Sequence, residues 1–370
     1  MSEKAIHTDV LVVGLGPAGA RAAHAAARED LSVIAIDRRA RPGFPVQCAE
    51  FIPALMEQEI AGLDSVTRQH IGAMATFVEK EAPDLRQNFR GRMVDRGEFD
   101  RLLVKTAHEA GADCRFATQL NDLAADGTAT MSDGAAIRPR MIIGADGPRS
   151  TVGAAIGRTN GEIVETRQIS VPLLNPYEAT DIFLSAEIVG GYGWLFPRGE
   201  IANVGLGVVP DERHRLKPLL NQLHEMLVAG GRVGRGIMGH TGGAIPVGGM
   251  LDPVSALGDV PVLLAGDTAG LANPVSGAGI NAAVMSGGLA GEAAAAWMAG
   301  DEAALDDYAQ ELEALFGASI DRALRRRRAI LRKYERGAGP SPADLRAGWI
   351  AYREYWADDE AAGTKLETAS

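Results

Sequence analysis

Short apolar runs alternate with helical spacings through the first third of the chain, the pattern of strands buried on both faces between covering helices. Residues 9–14 (Asp-Val-Leu-Val-Val-Gly) predict such a strand, an Ala-rich stretch from Gly19 to Arg28 predicts a helix, and 31–36 predict a second strand ending at Asp37. Segment 38–53 is too rich in Pro, Gly and charge for either element and predicts a loop. Phe99, Leu102, Leu103 and Ala107 recur at helical spacing within 96–111, with Gly111 as the stop. Two more short strands are predicted at 141–144 and 262–265, entering Ala145-Asp146-Gly147 and Gly266-Asp267. Between them, 161–260 alternates β-like runs such as 182–188 with turns and reads as a sheet-rich unit. From Glu292 to about Glu354 the Ala-, Glu- and Arg-rich chain predicts helix, and no internal repeat is present.

No charged residue lies between Asp267 and Glu292, a span long enough to cross a bilayer. Asn273, Pro274, Ser276, Asn281 and many glycines make it a poor membrane segment, so it reads as a buried loop and helix. With 370 residues, 46% hydrophobic and 23% charged, the chain is an ordinary globular one of about two domains. Its 45 glycines are clustered, which suits a backbone that must approach an extended ligand closely. A net charge of −11 excludes general electrostatic nucleic-acid binding and favours small metabolites or other proteins as partners. Against that background 322–336 carries eight basic residues and one acid, net +7, leaving −18 for the remainder. That asymmetry fits an anionic membrane surface, an acidic partner, or a solvated face paired with the acidic body. Cys48 and Cys114 are too few for a disulfide framework, and the first ten residues lack the apolar core of a signal peptide, so a cytoplasmic protein is expected. The seven histidines are scattered and no metal site is expected; nothing in the sequence sets an oligomeric state.

Gly14-x-Gly16-x-x-Gly19 stands between the first predicted strand and helix, and Asp37 closes the second strand about 20 residues later, the spacing of a dinucleotide fingerprint. Gly14 permits the tight turn, Gly16 the approach of a pyrophosphate and Gly19 the packing of helix on strand. The helix that follows offers free N–H groups that attract phosphate. Asp37 can accept ribose hydroxyls. A second cluster, 230–236, follows a helix rather than a strand and fails the context that nucleotide binding needs. One dinucleotide site serves either NAD(P) or FAD.

The remaining motifs carry a resemblance. Arg96-x-x-Phe99-Asp100, Ile143-Gly-Ala-Asp146-Gly147-x-x-Ser150 and Leu264-Ala-Gly266-Asp267-x-x-Gly270, with the fingerprint, resemble the FAD-binding scaffold of the p-hydroxybenzoate hydroxylase superfamily. Cys48-Ala49-Glu50, Tyr192-x-Trp194-x-Phe196-Pro197 with Asn203-Val-Gly205-x-Gly207, and Pro274-x-x-Gly277-x-Gly279 resemble the geranylgeranyl reductase family. The resemblance implies an α/β fold: a discontinuous Rossmann-like FAD-binding domain (8–75, 90–160 and 261–300), a sheet-rich substrate domain (76–89 and 161–260) and a helical C-terminal region (301–370).

It further implies that FAD is held by Gly14, Gly16, Pro17, Ala18, Gly19, Asp37, Arg38, Cys48, Ala49, Arg96, Asp146, Gly147, Gly266, Asp267 and the loop Pro274, Gly277, Ala278, Gly279, Ile280. The last of these opens a helix toward the flavin pyrimidine edge, where its positive end favours a reduced, anionic flavin. Cys48, Tyr192, Trp194, Phe196 and Gly277 are the implied catalytic set, with Cys48 beside substrate and flavin and the aromatics as apolar walls. The implied reaction is saturation of isoprenoid C=C bonds by hydride from reduced flavin, with NAD(P)H or another reduced carrier as donor. The implied partner is an apolar or prenyl-lipid substrate, met at the cytoplasmic face of a membrane. Two alternatives share the scaffold: a flavin monooxygenase or hydroxylase of an aromatic substrate, and a non-enzymatic prenyl-binding escort protein.

Overall fold

The computed structural model describes residues 5–54 and 60–357. Its first sheet is built on the doubly buried strand Ile6–Val13, flanked in parallel by Val33–Ile36 and by Ala136–Gly144. Asp113–Arg115 extends it parallel beyond Val33–Ile36, and Val260–Leu264 extends it parallel beyond Ala136–Gly144. All the parallel connections run through crossovers, which leaves the loops at the carboxyl ends of Ile6–Val13, Ala136–Gly144 and Val260–Leu264 side by side.

Helix Pro17–Arg28 starts on proline, whose missing N–H is no loss there, and buries an alanine face. Across it lies Ile280–Met298, whose first 12 residues complete the charge-free stretch. The two cross almost backbone to backbone: a Cβ on Gly287 would stand 2.1 Å from the Ala18 carbonyl oxygen, and one on Gly291 2.5 Å from that of Ala22. Small residues without charge are what such a crossing needs, which accounts for the composition that mimics a membrane span. Among the described residues no helix is long and apolar enough to cross a membrane.

The second sheet is largely antiparallel and runs in the order Gly239–Thr241, Ile163–Pro172, Ile201–Val208, Gly193–Arg198, Ala179–Leu184, Thr67–Val78, Asp84–Val94, Phe51–Pro53. Its two faces separate by alternation. Leu195, Val204 and Leu206 pack on helix Leu216–Ala229, while Met74, Ile182, Trp194 and Phe196 point the other way. Register sets Trp194 opposite both Ile182 and Gly205.

Several boundaries differ from the expectation. The loop expected at 38–53 ends in the strand Phe51–Pro53, and the second sheet begins there and at Thr67 rather than at residue 76. Thr67–Val78 hides from sequence reading because its first half is alternately exposed and polar and only its second half is buried. The sheet-rich stretch contains the 14-residue helix Leu216–Ala229. The C-terminal helix is interrupted: Ala304–Leu312 runs through a π turn at Glu313–Gly317 into Ala318–Glu335, and Pro342–Ala347 follows. Of the expected stretches, 55–59 and 358–370 lie outside the described residues.

Candidate active site

At the end of the first strand Gly14 adopts φ +98°, and a Cβ there would meet the Ala145 carbonyl oxygen at 2.3 Å; a Cβ on Gly19 would meet the Gly14 oxygen at 1.7 Å. These two glycines serve close packing. Gly16 differs, for a Cβ on it would meet no protein atom within 4 Å. It faces open space before a helix whose first turn has no side-chain cap, the arrangement that receives a phosphate. Asp37 is aimed by the backbone: its two oxygens accept from Leu15 N at 2.9 Å and Arg39 N at 2.7 Å, leaving lone pairs for hydroxyls.

From here a continuous cavity of about 950 Å³ passes the three loops and ends against the second sheet. Gly14, Gly16, Pro17, Ala18, Asp37, Arg38, Cys48, Ala49, Arg96, Asp146, Gly147, Asp267, Gly277, Ala278, Gly279 and Ile280 line it, as do Tyr192, Trp194 and Phe196. Gly19, Gly266 and Pro274 do not; they sit behind the wall, buried. The Asp146 carboxylate turns away from the cavity chemistry implied for it. It accepts from the Ser150 hydroxyl at 2.5 Å and the Thr151 amide at 2.6 Å, so it holds the start of helix Thr151–Ala155.

Asp267 is the opposite case. Its carboxylate accepts no hydrogen bond among the described residues, and burial, opposed by the nearby Arg96 charge, pushes its pKa up to about 6. A buried carboxylate with free lone pairs on a cavity wall fits a ligand hydroxyl. Next to it, Asn273 shapes the glycine loop: its Oδ1 accepts from Val275 N and Ser276 N, each at 3.0 Å, while Gly277 N donates to the Asn273 carbonyl. Gly277 takes φ +68°, and the following helix from Ile280 again lacks a side-chain cap. The Tyr192 hydroxyl donates to the Ser276 carbonyl at 2.6 Å, tying the second sheet to this loop.

Cys48 lies where the two sheets meet. Its Sγ accepts from the Glu50 amide at 3.2 Å and faces the Arg96 guanidinium. Burial works against the Arg96 charge, but the Asp100 carboxylate, bound at 2.9 and 3.0 Å, and the Cys48 sulfur outweigh it and hold Arg96 above its ordinary value. Glu50, at φ +71°, is the clamp of this loop. One carboxylate oxygen accepts from Arg96 N at 3.1 Å, the other from Asn203 Nδ2 at 2.8 Å, and the Arg198 guanidinium stands 3.3 Å away as an ion pair. Trp194 Nε1 donates to Gln168 at 2.9 Å, and Gln168 in turn donates to the Cys48 carbonyl at 3.3 Å.

Beyond Cys48 the cavity wall turns apolar, with Phe51, Met74, Phe89, Ile182, Trp194, Phe196, Trp349 and Ile350. Gly205 makes room for the Trp194 indole, whose ring atoms stand 2.4 Å from where a Cβ would be. Trp349 reaches in from the C-terminal segment, its ring 4.7 Å from that of Tyr192. Sequence reasoning missed Gln168, Asn273, the apolar walls from 51–89, and the Trp349 contribution. Gly205 and Asn203 stood in a quoted motif without a role, and their shared parity with Gly207 was the available signal.

The site fits FAD: an open Gly16 approach at a helix start, hydroxyl acceptors at Asp37 and Asp267, and a second uncapped helix start at Ile280 on one cavity. Residues 7–183 match the FAD binding domain family model, and 167–242 match the geranylgeranyl reductase catalytic domain. Fold and site therefore define an FAD-dependent oxidoreductase. The chain is 31% identical over 290 residues to the digeranylgeranylglycerophospholipid reductase of Methanosarcina acetivorans, covering 70% of this chain and 68% of that protein. It is also similar to the crystal structure of a geranylgeranyl bacteriochlorophyll reductase-like protein from Thermoplasma acidophilum. That match has a TM-score of 0.79 and 26% identity over 92% of this chain and 90% of that one. The chain belongs to the geranylgeranyl reductase family of FAD-dependent oxidoreductases. The flavin-dependent brominase Bmp2 shares the fold alone, with a TM-score of 0.69 at 17% identity over 97% of this chain and all of that one.

Proposed function

We propose that this protein saturates carbon–carbon double bonds in the isoprenoid chain of a prenyl lipid. The observation that carries the reading is the course of the cavity, which runs from the fingerprint glycines past Cys48 into an aromatic and aliphatic end. An uncharged chain is the ligand that such an end accepts without loss of hydration. FAD, reduced by NAD(P)H or another carrier, supplies the hydride when bound. The protein's own work is to exclude water and align the alkene, with Trp194 and Phe196 as walls, and to hold the proton that the second alkene carbon needs. Tyr192 gives its hydroxyl proton to the Ser276 carbonyl and is further discouraged from ionising, first by burial and then by the Cys48 sulfur. We assign the proton to the Cys48 thiol, at the junction of the cofactor and apolar parts. The residues named above as lining the cavity are the cofactor and substrate set of this proposal, with Gly19, Gly266 and Pro274 supporting it from behind.

Anaerobic mixing tests the reading. The dithionite-reduced protein is expected to be reoxidised on adding a geranylgeranylated lipid without oxygen, seen as returning flavin absorbance. Reoxidation only by oxygen, with substrate acting as an accelerator, would instead favour the monooxygenase.

A further inference from the structure

The basic run at 322–336 takes no part in the site described above, yet the structure sorts its charges into two sets. One set faces inward or sideways. Arg327 is buried in helix Ala318–Glu335 and donates to the Gly190 carbonyl, Arg326 donates to the Tyr355 carbonyl at 3.0 Å, Arg322 lies 4.7 Å over the Trp356 ring, and Lys333 pairs with Asp344 at 2.9 Å. These residues fasten the C-terminal segment, and that segment brings Trp349 and Ile350 to the cavity. Ile330 of the same helix packs on Gly348, beside Trp349.

The other set is Arg325, Arg328, Arg332 and Arg336, all exposed. Their spacings of three, four and four residues put them in one stripe along the solvent side of the helix. Arg328 has only a half-exposed partner, Glu162, at 3.3 Å. Arg325, Arg332 and Arg336 have no ion-pair or hydrogen-bond partner among the described residues. Pairing with the acidic body therefore does not explain the stripe, and arginines repeated at helical spacing repel one another unless an outside anion offsets them.

We propose that this stripe is a docking face for an anionic lipid bilayer. Guanidinium groups pair bidentately with phosphates, and a row of them on one helix suits a surface of many headgroups. The placement is apt because the same helix anchors the segment that walls the apolar end of the cavity. The proposal deepens the prenyl-lipid reading and rests on it for its purpose, but it concerns surface charge and is tested apart from turnover.

The FAD-loaded full chain is sedimented with phosphatidylcholine vesicles, pure or containing about 30 mol% phosphatidylglycerol, beside the triple variant R325S/R332S/R336S. Unchanged flavin absorbance and melting temperature show that the variant is folded. We expect binding to the anionic vesicles only, weakened by salt, and a partition coefficient roughly 100-fold lower in the variant, since each basic residue near such a surface adds about 1 kcal/mol. Turnover of detergent-dispersed prenyl substrate is expected to be equal in the two proteins. No binding to anionic vesicles, equal binding to both vesicle types, or undiminished binding of the variant overturns the proposal. An acidic protein ligand retained while the vesicles are not would assign the stripe to a protein partner instead. Vesicle binding by a protein that reduces no prenyl chain would leave the docking face standing and remove the substrate reading.

Discussion

Asp267 and Asp146 are two aspartates at equivalent strand ends, and their neighbours give them opposite roles. Asp146 spends its oxygens on Ser150 and the first amides of a short helix, whereas Asp267 keeps its lone pairs free on the cavity wall. The motif spacing that singled out both could not tell them apart, because the difference lies in the Ser150 side chain and the local helix start. Asp267 also carries a pH signature. Its folded pKa of about 6 lies above the ordinary aspartate value of 3.8, so the folded cofactor-free protein favours the protonated form. The stability this contributes is present below about pH 4 and is lost as the pH rises through about 6. Asp267→Asn should therefore match the parent near pH 4, become progressively more stable than it up to about pH 6, and keep a constant advantage above that, by urea denaturation of the apoprotein. A constant difference across that window would mean that Asp267 does not titrate there. Cys48 was legible as a site residue, but the Glu50 clamp that positions it was not. Glu50 acts through partners more than 40 residues away, at Arg96 and Asn203, which no local pattern connects.

Elements were legible in proportion to how fully they are buried. The first sheet announces itself through apolar runs because its strands are covered on both sides. The second sheet has one face on a helix and the other on a cavity, so its pattern mixes polar, aromatic and glycine positions. The Asn203-x-Gly205-x-Gly207 parity is a period-2 signal of that cavity face. The glycines of helix Ile280–Met298 have a different reason, the crossing with Pro17–Arg28. Gly287→Ala forces a methyl to 2.1 Å from the Ala18 carbonyl oxygen, and the two helices must part. We expect a loss of about 2–3 kcal/mol in chemical denaturation, with lower FAD affinity because the fingerprint helix moves. A variant as stable as the parent would mean that the crossing is looser than this geometry.

At the scale of the whole molecule the cofactor-binding loops, the aromatic sheet face and the C-terminal segment converge on one cavity. The first two were anticipated from motifs, and the third was not. Trp349 and Ile350 lie just past the short helix Pro342–Ala347, in a stretch whose aromatics had no motif around them and read only as part of a helix running to about Glu354. Their contribution arises because the basic helix holds the tail back over the sheet through Lys333–Asp344, and because Arg346 pairs with Glu81. The C-terminal segment therefore walls the apolar end of the cavity, although it follows the glycine loop at 274–280 by about 70 residues. The clustered glycines, spread over 14–19, 144–147 and 266–279, similarly form one feature: three strand ends gathered around a single cavity. Mass spectrometry of the lipid after anaerobic incubation with the reduced FAD-loaded protein decides whether this cavity reduces an isoprenoid chain. A digeranylgeranyl lipid should gain mass in steps of two hydrogens per double bond, with no oxygen added. An unchanged lipid mass, or a gain of one oxygen atom under air, would contradict that reading.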